Sequence, residues 1–251
     1  MEASRQIHQD ELGALQGKVI LITGGASGLG RDVAFQSGER GAKVVLFDVR
    51  ADRLAETKAG LDAEGVPCLT FAGDVADEGD VSGAIGSVVK EWGQIDIVVN
   101  SAGIYRGGLL VELSMAEYDA MFRVNVRGTY LVCKEAAKVF VEQKRGHIFN
   151  VASIGAKNVF PEEIAYSATK WAVVGISEGI SRELGRHNVR VTTIYPGGMN
   201  TTFWEVNKPT RGVWDPTGLM KSSRVAQAIV QIASLPEDTV VKEAQVYPPG
   251  F

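Results

Sequence analysis

From Lys18 onward the chain alternates between short runs that are apolar at successive positions and longer stretches in which apolar residues recur at helical spacing. A strand with apolar side chains at consecutive positions is buried on both faces. These runs predict strands at 19–23, 43–48, 66–73, 95–100, 147–152, 190–195 and 244–247. Between them the helical period predicts helices at 29–40, 51–63, 77–92, 115–143, 165–187 and 222–234. Strands that alternate with helices are joined by crossovers, so neighbouring strands run parallel and the helices cover both faces of the sheet. The expected fold class is α/β, a doubly wound seven-stranded parallel sheet in a single domain spanning 17–251, preceded by an extension at 1–16.

Composition narrows this picture by exclusion. The 251 residues are 45% apolar, enough for one substantial core. The net charge of −4 is spread along the chain, with no basic stripe for nucleic acid or anionic lipid. No segment approaches the apolar length of a membrane span, and the charged N-terminus lacks the apolar run of a signal peptide. Cys68 and Cys133 have neither disulfide-scaffold numbers nor zinc spacing, so no metal site is expected and a reducing, cytoplasmic setting is. Glycine is abundant, at 29 residues, without a repeat to absorb it, so the glycines serve particular backbone positions.

The first predicted strand runs into Thr23-Gly24-Gly25-Ala26-Ser27-Gly28-Leu29-Gly30 just before a helix. A glycine turn feeding a helix N-terminus presents unpaired N–H groups and a positive dipole end, which suits a phosphate. The bland alternative is an ordinary strand-to-helix connection. The second strand ends in Asp48, about 20 residues past the glycines, where a carboxylate accepts hydrogen bonds from a ribose diol and repels a 2′-phosphate. The bland reading of Asp48 is a cap for the next helix, and Arg50 stands close enough to serve a 2′-phosphate. NAD is expected over NADP.

Further along come Gly73-Asp74-Val75, Asn100-Ser101-Ala102-Gly103, Asn125, Ser153, Tyr166-x-x-x-Lys170 and Pro196-Gly197-x-x-x-Thr201. In this order and spacing they resemble the short-chain dehydrogenase/reductase family across residues 17–200. The resemblance implies a Rossmann-type fold in which Gly24, Ser27, Gly28, Leu29 and Gly30 cradle a pyrophosphate. Asp48 would take the adenosine ribose and Asp74 with Val75 the adenine edge, while Asn100, Ala102 and Gly103 line the cofactor. Pro196, Gly197, Met199 and Thr201 would close over the nicotinamide. It implies Asn125, Ser153, Tyr166 and Lys170 as the catalytic set: Tyr166 as acid/base, Lys170 one helical turn away favouring the tyrosinate and holding nicotinamide ribose, Ser153 on the substrate oxygen, and Asn125 holding a water that links Lys170 to solvent. Taken singly, each has a bland reading: Ser153 a turn residue, Asn125 a helix bend, Tyr166 and Lys170 a surface pair. Ser101 replaces the family's usual second asparagine, and the C-terminal residues depart from the family pattern.

Substrate choice is expected from loops after the fourth, fifth and sixth strands. They offer Ile104, Tyr105, Arg106, Asn158, Val159 and Phe160, and a stretch at 200–219 with Phe203, Trp204 and Trp214 reads as a lid. The expected substrate is a mainly apolar secondary alcohol or its ketone, with Ser153, Tyr166, Ile104, Phe160, Phe203 and Trp204 around it. Arg106, Arg123 and Arg127 leave open an anionic group and hence a 3-oxoacyl thioester reductase. An NAD(H) sensor without turnover is the reading from another class. The long segments at 115–143 and 165–187 carry more apolar surface than one sheet face uses, which suggests a subunit interface, and the family resemblance implies a homotetramer or homodimer through them.

Overall fold

The computed structural model describes residues 14–201 and 218–249. Seven strands form one parallel sheet in the order β3-β2-β1-β4-β5-β6-β9. They are β1 (Val19–Thr23), β2 (Lys43–Asp48), β3 (Cys68–Ala72), β4 (Ile97–Asn100), β5 (Gly146–Val151), β6 (Val189–Pro196) and β9 (Glu243–Val246). Two further two-residue strands, β7 (Met199–Asn200) and β8 (Met220–Lys221), pair with each other beyond the end of β6. The helices are α1 (Gly28–Gly38), α2 (Ala51–Ala63), α3 (Glu78–Trp92), α4 (Met115–Met121), α5 (Thr129–Gln143), α6 (Ile164–Leu184) and α7 (Ser222–Ala233).

Alternate residues of each central strand feed two cores, one per face. Ile20, Ile22, Val44 and Leu46 pack with Leu29 and Val33 of α1, Leu54 and Leu61 of α2, and Val225 and Ile229 of α7. Val19, Leu21, Val45 and Phe47 pack with Val81, Ile85 and Val88 of α3 and Leu131, Ala136 and Phe140 of α5 on the other. Burying each such side chain contributes about 1.5–3 kcal/mol, which is why consecutive apolar runs sit in the sheet centre. Caps mark several helix ends. Asp77 accepts from the Asp80 N–H to start α3, Gly93 ends it at φ +77°, and Ser114 with Glu117 forms a capping box on α4.

Two boundaries differ from the sequence expectation. Residues 14–16 are not outside the domain: Leu15 is fully buried in the α1/α7 core and its N–H donates to the Arg40 carbonyl. An apolar side chain next to β1 docks rather than stays in water. The segment expected as one helix at 115–143 is three pieces, because Phe122–Gly128 forms a π-helical turn between α4 and α5. The side chain that needs this widened turn is Asn125, described below.

Candidate active site

Among the described residues, most of the sequence-selected groups gather at the carboxyl ends of β1 to β6, where open parallel sheets bind ligands. At the end of β1 the chain turns through Gly24 at φ +66° and Gly28 at φ +51°, a region that L side chains rarely enter. A Cβ on Gly30 would lie 2.3 Å from the Gly24 carbonyl oxygen, and one on Gly24 would lie 2.9 Å from the Ala102 Cα. The turn therefore closes only with bare backbone. Ser27 precedes α1, and its hydroxyl is not spent on capping that helix, whose first N–H groups open toward the cleft. Thr23 Oγ1 accepts from the Ala102 N–H at 3.2 Å, tying this turn to the end of β4. Thr201 lies against Gly28, so the chain beyond β6 reaches the same turn.

Asp48, at the end of β2, is 8% exposed and accepts from the Ala26 N–H at 3.2 Å and the Arg50 N–H at 3.1 Å. Arg50 folds over it, with Nε 3.7 Å from Asp48 Oδ1 and its guanidinium donating to Ser27 Oγ. Arg50 thus places a cation at the rim of the glycine turn. After β3, Asp74 Oδ1 accepts from the Ala76 N–H at 2.8 Å, and Asp74 Oδ2 accepts from Arg123. Val75 is buried against Gly128, where any Cβ would come within 2.6 Å of Val75 Cγ2. Arg127 donates to the Ala76 carbonyl at 3.0 Å. Arg123 and Arg127, read as possible anion binders, instead hold the loop after β3.

Asn100 departs from its expected place. Its side chain turns into the core, donating to Asn150 Oδ1 at 2.8 Å and to Cys133 Sγ at 3.2 Å, and Asn150 donates in turn to Ser177 Oγ at 2.8 Å. It braces β4, β5 and α6, and only its backbone reaches the cleft. Ala102 and Gly103 follow it there. A Cβ on Gly103 would lie 3.3 Å from Asn125 Oδ1 and 3.7 Å from Lys170 Nζ, so glycine allows the close approach.

The π-helical turn aims Asn125 at this loop. Its Oδ1 accepts from the Ile104 N–H at 2.8 Å, while its Nδ2 donates to the Ile104 carbonyl at 2.9 Å and to Thr169 Oγ1 at 3.1 Å. The side-chain amide thereby ties the loop after β4 to α6. On α6, Lys170 is buried and donates to the Val151 carbonyl at 2.9 Å, and its Nζ stands 5.7 Å from the centre of the Tyr166 ring. Burial pulls the Lys170 ammonium down to about 8. Tyr166 bonds the Ser153 hydroxyl, which favours its ionised form, but burial outweighs this and holds the phenol well above its usual range. Ser153 Oγ accepts from the Gly155 N–H at 3.1 Å, which fixes it at the start of the turn after β5.

Tyr105, offered by the sequence only as a substrate-loop residue, and Glu163, not singled out by it, complete the pocket. Tyr105, 2% exposed, packs edge-on to Tyr166 with ring centres 5.1 Å apart, and burial pushes its phenol up to about 12. Glu163, one turn before Tyr166, is half-buried, and its carboxyl lies above the usual range because it is desolvated. Its spacing of three residues from Tyr166 was the available signal. Ile104 is half-buried beside Asn125, and Phe160, at 40% exposure, stands on the loop after β5. The loops after β4 and β5 are joined by a hydrogen bond from the Gly108 N–H to the carbonyl of Glu162, which holds φ +66°. Beyond β6, Pro196 and Gly197 are buried and Met199 half-buried. Phe203, Trp204, Trp214 and most of the lid at 200–219 lie outside the described residues.

Comparison with known proteins gives this arrangement a family. The sequence matches the short chain dehydrogenase family over residues 18–212. It is 39% identical over 182 residues to D-threitol dehydrogenase of Mycolicibacterium smegmatis, covering 72% of this chain and 70% of that protein. The fold superimposes with a TM-score of 0.84 and 27% identity on an alcohol dehydrogenase of Thermococcus sibiricus solved with 5-hydroxy-NADP, over 92% of this chain and 96% of that one. Levodione reductase gives a TM-score of 0.83 at 28% identity, over 93% and 97% of the two chains. With the family match covering most of its length, the chain belongs to the short-chain dehydrogenase/reductase family, oxidoreductases that act on CH–OH groups with a nicotinamide cofactor.

Proposed function

We propose that this protein interconverts a secondary alcohol and its ketone, with Tyr166 as the acid/base and NAD as the preferred dinucleotide. The observation that carries the reading is the Tyr166 phenol bonded to the Ser153 hydroxyl with the buried Lys170 alongside, at the mouth of a glycine turn that only bare backbone can close. Gly24, Ser27, Gly28, Leu29 and Gly30 fit a pyrophosphate, since a helix N-terminus and close backbone approach are both present. Asp48 stands where a ribose diol would donate to it, and its charge disfavours a 2′-phosphate. Arg50 is the group that would bind such a phosphate; relatives solved with NADP keep that alternative in the test.

The bound nicotinamide supplies the site that gives or takes the hydride. Everything else falls to side chains of this chain. Ser153 and Tyr166 together hold the carbinol oxygen, and Tyr166 takes its proton on oxidation or returns it on reduction, which avoids a free alkoxide. Lys170, positive below about 8, lowers the cost of a tyrosinate next to it. Asn125 acts one step back, by clamping Ile104 and Thr169 so that Gly103, Tyr166 and Lys170 keep their spacing. Tyr105 excludes water from one side of the Tyr166 ring.

Tyr130 on α5 and Trp171 on α6 are 54% and 51% exposed, and they support a homodimer or homotetramer through these helices. Cys68 and Cys133 are free, buried thiols pushed up by burial to about 11 and 12, in keeping with a cytoplasmic protein. Fluorescence titration with NADH and NADPH, followed by oxidised cofactor with a panel of secondary alcohols, tests the proposal. Tight NADH binding with turnover supports it. Tight binding with no turnover on any alcohol or ketone overturns the catalytic assignment in favour of a dinucleotide sensor.

A further inference from the structure

Glu163 is a carboxylate placed at the reacting end of the cleft with nothing in the protein to receive. It occupies the residue before α6, but its side chain makes no capping bond. Its Oε2, the Ser153 hydroxyl and the buried Ser167 hydroxyl border the same small space at Gly155, where a Cβ would lie 3.8, 3.5 and 3.0 Å from them in turn. Among the described residues no hydrogen bond or ion pair engages this carboxylate. The nearest cation of that turn, Lys157, is committed elsewhere, 3.0 Å from Glu243 and over the ring of Tyr195. Tyr105 and Tyr166 both lie within the field of Glu163, which raises their phenols further.

A half-buried carboxylate loses hydration, and that loss is offset only by a donor. Water reaches this half-buried carboxylate, and a hydroxyl on what enters the cleft can take the place of that water. A substrate carboxylate or phosphate is repelled by the like charge. An ammonium group meets the Lys170 cation in the same site. A neutral O–H group satisfies the carboxylate without either cost. On the reading that Ser153 and Tyr166 hold the reacting carbinol, we infer that Glu163 accepts a hydrogen bond from a second hydroxyl of the substrate, so that the preferred substrates are diols or polyols. The apolar wall of Ile104, Tyr105 and Phe160 then packs the carbon skeleton while one acceptor selects its oxygen pattern. An interaction with a charged acceptor discriminates strongly, because the analogue lacking the hydroxyl leaves the carboxylate unpaired.

The test compares matched pairs, butane-2,3-diol with butan-2-ol and cyclohexane-1,2-diol with cyclohexanol, in the full-length enzyme with saturating NAD+ and, separately, NADP+. The expected result is a diol-to-monool ratio of kcat/KM of about 10- to 100-fold in the wild type. That ratio collapses toward one in Glu163→Leu and is partly restored in Glu163→Gln, which keeps an acceptor oxygen in the same volume. A wild type that favours the monools, or a ratio unchanged in Glu163→Leu, overturns the inference while leaving the dehydrogenase reading in place. Failure of the wild type to oxidise any of the four alcohols, with dinucleotide binding intact, overturns both readings.

Discussion

Asn125 and Ile104 exchange two hydrogen bonds, side chain to backbone in both directions, across the gap between the π-helical turn and the loop after β4. This pairing does for the site what a strand ladder does for a sheet: it fixes an irregular loop in one place. Asn125→Ala leaves the Ile104 N–H and carbonyl without these partners, at a cost of about 3 kcal/mol. The expected outcome is a Tm lower by roughly 5–10 °C, together with a fall in kcat that exceeds the change in dinucleotide affinity. Calorimetry and steady-state kinetics on the same preparation check it. A variant with unchanged kcat and Tm would show that Gly103 and Ile104 hold their positions without the clamp.

Tyr166→Phe removes the proposed proton-transfer group and leaves the ring packed against Tyr105. Turnover is expected to fall by about 10²- to 10⁴-fold, with NADH affinity within about threefold of the wild type, both read from one series of titrations and assays. The pH dependence carries a sign. Burial raises the Tyr166 pKa, so the fraction able to accept a proton from an alcohol grows with pH. The wild-type kcat/KM for oxidation therefore increases through the alkaline range, and this limb is absent from the residual activity of Tyr166→Phe.

Asp48 and Arg50 oppose each other at the ribose end of the cleft. With Arg50 drawn onto Asp48 and Ser27, the carboxylate governs and NADH is expected to bind more tightly than NADPH by about tenfold or more. Asp48→Ser removes the repulsion and frees Arg50, so NADPH affinity rises at least about tenfold, a change of roughly 1.4 kcal/mol. Adding Arg50→Ala to that variant abolishes the gain. A wild type that prefers NADPH would assign the choice to Arg50.

His147 in β5 makes the domain sensitive to acid. Its Nε2 bonds Thr192 Oγ1 at 2.8 Å, its Nδ1 is buried without a partner, and burial depresses its pKa to about 3 from an ordinary 6.5. Between those two values the unfolded chain binds a proton that the folded one refuses. Stability is thus intact above pH 6.5 and is lost as pH falls toward 3, by up to about 1.4 kcal/mol per pH unit. His147→Gln keeps a donor for Thr192 but does not titrate. Urea unfolding at pH 6.5, 5.5 and 4.5 should show a shallower acid slope in that variant, and parallel slopes would refute the assignment.

Much of this was written into local sequence. Consecutive apolar runs placed the seven strands within two residues at each end, because strands buried on both faces have no other pattern available to them. The turn from Gly24 to Gly30 was legible as bare backbone before a helix, and Asn125, Ser153, Tyr166 and Lys170, picked out by their order, lie together at one end of the sheet. Tertiary structure decided the rest, through contacts between residues far apart in the chain. Asn100 faces the core because Asn150 and Cys133 lie beneath it, and Arg123 is drawn to Asp74, 49 residues away, rather than to a ligand. The helical period at 115–143 concealed a π-helical turn that exists because Asn125 must reach Ile104. Glu163 stands three residues before Tyr166 in the sequence, but only the fold brings Ser153 and Tyr105 toward it from two other loops and half-buries its carboxylate.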